Sequence, residues 1–118
     1  MSDLVTIDVE DHVADVRLNR PEKMNAVNRD MWHAISEAGE ALIEDRGVRA
    51  VVLSGNGRAF CAGLDMASFQ EMQSSSDAPG DGSGGGLESR GDRPENFFQR
   101  AAIVWRRVPV PVICAIHG

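Results

Sequence analysis

The sequence predicts an α/β fold. Three observations carry the expectation. Leu4–Val9 and His12–Leu18 alternate apolar and polar residues, as two paired strands do. Val48–Leu53 and Val110–Ile116 are nearly unbroken apolar runs of the kind found in strands covered on both faces. A helical pattern precedes each of those runs, which is the order of a βαβ arrangement.

Taken in order, Val5, Ile7 and Val9 share one face of the first strand. Ala14, Val16 and Leu18 share one face of the second. Glu10 and Asp11 begin a tight turn between them, and Asn19–Lys23 is a loop. Asn28 is placed to cap a helix, and Asp30 lies in its first turn, where the helix dipole favours a negative charge. Met31, Ile35, Ala38 and Leu42 recur at helical spacing, flanked by Trp32 and Ile43, and Gly47 is the expected stop. Val48–Leu53 follows as a strand. Met66–Met72 is a short helical segment. Ser74–Arg93 holds almost no apolar residue and many Gly and Ser, so it reads as a flexible insert. Its Gly84–Gly86 run lacks a preceding strand and a following GK[ST], which excludes a phosphate loop. Phe98, Ala101, Ala102, Trp105 and Val108 mark the buried stripe of another helix, ended by Pro109. Val110–Ile116 reads as a central strand. No covering element follows it, so the chain is expected to be the front part of a larger domain.

Composition narrows the function. With 118 residues the chain suits one small domain. A net charge of −6 leaves no basic surplus for phosphates, so nucleic acid is not an expected partner. No apolar run is long enough for a membrane span, and the start lacks the pattern of a secretory signal. Cys61 and Cys114 read as free thiols in a reducing cytoplasm.

The stretch VVLSGNGRAFCAGLDM, Val51–Met66, is the most informative. An apolar strand enters a corner bearing Gly55, Gly57 and Gly63, and a helix opens near Asp65. Small side chains and free N–H groups near a helix start suit a negative charge, so the corner reads as a backbone pocket for an anion or oxyanion. The same pattern also fits a purely structural strand-to-helix turn. The GxG of Gly55 and Gly57 is not a dinucleotide fingerprint, because Phe60 stands at the third glycine place. Cys61 could be a nucleophile, but His12, His33 and His117 are scattered and none is paired with it by spacing. Asp65 could act as an acid or base or stabilise the helix start. His117, at a strand end, could touch a ligand.

Three stretches together resemble the crotonase (enoyl-CoA hydratase/isomerase) superfamily: LNRPEKMNAV (Leu18–Val27), GNGRAFCAGLDM (Gly55–Met66) and PVPVICAIHG (Pro109–Gly118). The resemblance implies a crotonase-like ββα spiral, here residues 1–118 as the N-terminal part of one domain, truncated before the second oxyanion-hole helix, with the insert at about 74–93. It implies an acyl-CoA thioester substrate, with coenzyme A as part of that substrate and no separate cofactor or metal, and a homo-trimer or hexamer. The backbone N–H of Leu64, after Gly63, would be one oxyanion donor. Ala62 would meet the adenine end of coenzyme A. Lys23, Met24 and Ala26 would line the coenzyme A side, and Asp65 and Met66 the acyl side. The second donor and the acid/base carboxylates would lie beyond Gly118, so the 118-residue chain alone is expected to be inactive. The alternatives are a truncated, inactive module that binds coenzyme A thioesters or mediates oligomerisation, and a nucleotide-binding α/β module.

Overall fold

A computed structural model of the protein describes residues 3–68, 70 and 96–118. The expected flexible insert lies outside the described residues. Strands β1 (Val5–Glu10) and β2 (Val13–Leu18) form an antiparallel hairpin. Helix α1 (Arg29–Glu44) carries the chain to β3 (Ala50–Gly55), and α2 (Phe97–Arg107) precedes β4 (Val112–Cys114). The sheet order is β1-β2-β3-β4, with β3 parallel to both β2 and β4. The expected ββα and βαβ order is therefore present.

The hairpin turns through Asp11 and His12, both at positive φ (50° and 68°). This mirror-image turn matches the strand twist, and Asp and His tolerate the conformation better than most residues. The carbonyl of His12 accepts from the N–H of Arg49 at 2.7 Å, and its Nδ1 donates to the carbonyl of Gly47 at 2.9 Å. The hairpin is thus tied to the entry of β3.

Asn28 caps α1 as expected, its side chain accepting from the N–H of Met31 at 2.9 Å. Met31, Ile35, Ala38 and Leu42 are buried against Ala14, Val16 and Leu18 of β2 and Val51 and Leu53 of β3. α2 lies against α1 so closely that a Cβ on Gly39 would stand 2.6 Å from a methyl of Val104. Asn96 caps α2 in a reciprocal box with Gln99.

Three expectations are corrected. Helix α1 ends at Glu44 with Asp45 as its cap, not at Gly47; Gly47 sits in the turn beyond, its N–H held by the Asp45 carboxylate. The stripe on α2 runs through Val104 rather than Ala102, which is exposed. β4 spans only Val112–Cys114, shorter than the expected Val110–Ile116; among the described residues it pairs with β3 alone, and Ile113 is 60% exposed. As expected, Val5, Ile7 and Val9 share one face of β1, opposite Leu18, Val16 and Ala14; Ile7 and Val9 are 39% and 44% exposed. Among the described residues the core lies on one face of the sheet. Val52 and Ile113, paired across β3 and β4, point to the other.

Candidate functional site

β2 and β3 run parallel, so their carboxyl ends open on the same edge of the sheet. Their last paired residues are Leu18 and Gly55. Beyond them the N–H of Asn56 donates to the Leu18 carbonyl at 2.9 Å, and the Asn56 amide donates to Oδ1 of Asn19 at 3.1 Å. Two loops then leave side by side, one leading to α1 and the other through the glycine-bearing corner.

The first loop contains a 3-10 turn, Pro21–Lys23, followed by Met24 and Asn25 at positive φ (49° and 57°). Asn25 is fully buried. Its Oδ1 accepts from the N–H of Arg20 at 2.7 Å, and its Nδ2 donates to the carbonyls of Asn56 and Ala59 at 2.9 and 3.0 Å. One side chain thus satisfies groups on both loops, as a buried polar residue must if it is not to cost stability.

The loops continue as a short ladder. Ala62 N–H donates to the Met24 carbonyl at 2.9 Å, Val27 N–H to the Gly63 carbonyl at 2.7 Å, and Asp65 N–H to the Val27 carbonyl at 3.0 Å. Val27 and Leu64 form a parallel bridge. In that pattern the bonds to Val27 run through the neighbours of Leu64, and the Leu64 N–H faces away from the first loop. Among the described residues no acceptor engages it. Gly63 has a φ of 98°, and nothing lies within 4 Å of where a Cβ would stand. The requirement for glycine there comes from the backbone conformation, not from crowding.

Cys61 pins the same corner. Its thiol lies 3.2 Å from the Asn25 carbonyl, to which it donates, and its sulfur accepts from the Gly63 N–H at 3.4 Å. The two cysteines are free thiols. His117 is drawn instead to the corner's outer turn. Its Nε2 donates to the Gly57 carbonyl and its own carbonyl accepts from the Phe60 N–H, both at 2.9 Å.

Asp65 is committed to structure on both oxygens. Oδ1 accepts from the Ala67 N–H at 2.9 Å, capping helical residues that begin at Met66. Oδ2 meets Nη1 of Arg20 at 2.6 Å, and the same Nη1 donates to the Ala26 carbonyl at 2.8 Å. The Arg20 hydrogen bond holds the Asp65 carboxyl below its ordinary range. A carboxylate so engaged is a weak proton acceptor.

The ladder brings Met24 and Ala26 on the first loop beside Ala62, Gly63, Leu64 and Asp65 on the second, with Lys23 and Met66 exposed just outside it. Arg20 and Asn25, which hold the loops together, were not singled out by sequence reasoning. Both lie in the stretch Leu18–Val27, but their partners on the second loop are 31 to 45 residues away, and no local pattern reports a contact at that range.

This geometry defines a class of site: a backbone N–H left without an acceptor among the described residues, between peptides held by Val27, beyond the carboxyl ends of the parallel strands β2 and β3. The sequence profile described as enoyl-CoA hydratase/isomerase matches residues 13–118, and the chain belongs to that family. It is 38% identical over 117 residues to the mitochondrial Delta(3,5)-Delta(2,4)-dienoyl-CoA isomerase of Rattus norvegicus, an alignment covering 91% of this chain and 32% of the relative. It is 30% identical to the 1,2-epoxyphenylacetyl-CoA isomerase of Escherichia coli strain K12, covering 100% of this chain and 41% of that one. An enoyl-CoA hydratase structure from Mycobacterium smegmatis superposes with a TM-score of 0.71 at 34% identity, over 99% of this chain and 41% of its own. A putative enoyl-CoA hydratase/isomerase from Acinetobacter baumannii superposes with a TM-score of 0.78 at 25% identity, over 100% and 43%. The chain therefore spans a third to two fifths of the length of these relatives.

Proposed function

We propose that the chain supplies a thioester-polarising part of an acyl-CoA enzyme of the hydratase/isomerase type, with the Leu64 N–H as one oxyanion donor. The observation that carries this reading is that N–H itself: it has no acceptor among the described residues, while the peptides on either side are fixed by Val27. A thioester carbonyl becomes an enolate or a tetrahedral oxyanion during hydration or double-bond migration. A donor already aimed at that oxygen lowers the barrier without reorganising, and one such donor is typically worth about 10²–10³ in rate.

In this proposal Lys23, Met24 and Ala26 line the coenzyme A side, and the Ala62 backbone meets the adenine end. Asp65 and Met66 border the acyl side, with Asp65 acting through its contacts rather than as a base. Coenzyme A arrives with the substrate. Homo-trimers or hexamers are the proposed assembly. The names of the relatives, a dienoyl-CoA isomerase and an epoxyphenylacetyl-CoA isomerase, support an acyl-CoA substrate.

Calorimetric titration of the full protein with an enoyl-CoA, NAD and ATP tests the ligand, and an assay for hydration or isomerisation of the enoyl-CoA tests turnover. Binding and turnover of the thioester are expected. Binding of NAD with none of the thioester would overturn the proposal. Thioester binding without turnover would leave a binding module.

A further inference from the structure

Asp65 directly follows the residue whose N–H is read as the thioester donor. Its side chain is only 12% exposed and lies against the first loop. Unpaired, that carboxylate would oppose any negative charge gathering at the Leu64 N–H. The Arg20 guanidinium, itself 14% exposed, stands against it at 2.6 Å and grips the Ala26 carbonyl with the same nitrogen. Capping the helical residues after Asp65 does not require a charge, since Asn or Ser caps as well. The charge and its partner therefore need a further account.

We propose that Arg20 is a positioning residue of the thioester site: it holds Asp65 against the first loop and cancels the negative charge that Asp65 would otherwise set beside the developing oxyanion. This rests on the reading of Leu64 as the thioester donor. The two halves of the ion pair are then unequal. Losing Arg20 leaves a bare carboxylate next to the reacting oxygen, whereas losing the charge of Asp65 does not. A like charge within about 10 Å, at an effective dielectric of about 20, would alter a rate by over tenfold.

The test uses the full protein with an enoyl-CoA carrying a ¹³C-labelled thioester carbonyl. Infrared difference spectra report carbonyl polarisation, kcat and KM are measured in parallel, and circular dichroism checks folding. The wild type should lower the carbonyl stretch relative to the free thioester. Arg20→Met should lose most of that shift and about tenfold in kcat, with KM changed less than about threefold. Adding Asp65→Asn to Arg20→Met should recover most of the shift and raise kcat several-fold above that of Arg20→Met alone. Should Arg20→Met fail to fold, Arg20→Gln, which keeps a donor and removes the charge, carries the same comparison. A folded double variant no better than the Arg20 variant alone would overturn the inference and leave the pair a simple clamp. A wild-type protein that binds the thioester without shifting its carbonyl would overturn the Leu64 reading, and this inference with it.

Discussion

Val27 and Leu64 stand opposite each other in a single parallel bridge, and the bonds of that bridge leave the N–H of Leu64 turned away from Val27. The side chain of Leu64 is secondary to this arrangement. Leu64→Pro removes the donor and should reduce turnover of an enoyl-CoA by about 10²-fold or more, while Leu64→Ala, which keeps the N–H, should lose far less. Steady-state kinetics on both variants, with circular dichroism to confirm folding, check this. Equal losses in two folded variants would make Leu64 a side-chain contact instead.

Gly63→Ala separates backbone conformation from space. The added methyl meets nothing within 4 Å, but the φ of 98° is one that L-residues rarely adopt. The variant should lose about 1–3 kcal/mol in urea unfolding. It should also lose activity, because relaxing that φ turns the following peptide. A stable, fully active Gly63→Ala would show that the corner adapts.

Asn25→Ala should cost about 2–4 kcal/mol, since it strands groups on both loops and places alanine at a positive φ. Asn25→Gly removes the same bonds and relieves the backbone, so it should be about 1 kcal/mol less damaging. Chemical denaturation of the two variants tests both parts.

Acid should loosen the site through Asp65. Its carboxyl is held below the ordinary range by Arg20, so folding favours the ionised form. The stabilisation is complete above the unfolded-state pKa, about 4, and is lost as pH falls through the lower folded-state value. The melting temperature of the wild type should therefore drop below about pH 4 more steeply than that of Asp65→Asn. Parallel slopes would show that the pair contributes nothing to the acid transition.

Much of the fold was legible because its causes are local. The Asn28 cap and the spacing of Met31, Ile35, Ala38 and Leu42 located α1, and the alternation in β2 identified its buried face. What escaped depends on other parts of the chain. β3 starts at Ala50 rather than Val48, because Ala50 is the first residue to pair, opposite Val13. Val52 reads the same as Val51 in the sequence, and only the sheet decides which of them meets α1. The corner at Gly63 was legible as a glycine-bearing turn before a helix start, which its φ of 98° and the helical residues from Met66 match. Its supports were not. Asn25 looks like any loop asparagine, and its burial follows only from the neighbouring loop. Arg20 and Asp65 carry no mark of being partners.

The pairing of Leu18 with Gly55 has a further consequence, for tolerance to insertion and for the order of folding. Both loops are dispensed from that rung, so β2 and β3 act as a ruler. A slip of one residue would offset the loops by about 3.3 Å, more than the length of a hydrogen bond, and the Asn25 and Val27 contacts could not all form. Extra residues in the turn between α1 and β3 leave the rung untouched, whereas one added within either strand resets it. The donor can be aimed only after the chain between the strands has closed. Leu64 should thus be among the last residues to reach its native place, and slow strand pairing would delay function more than it delays the helices.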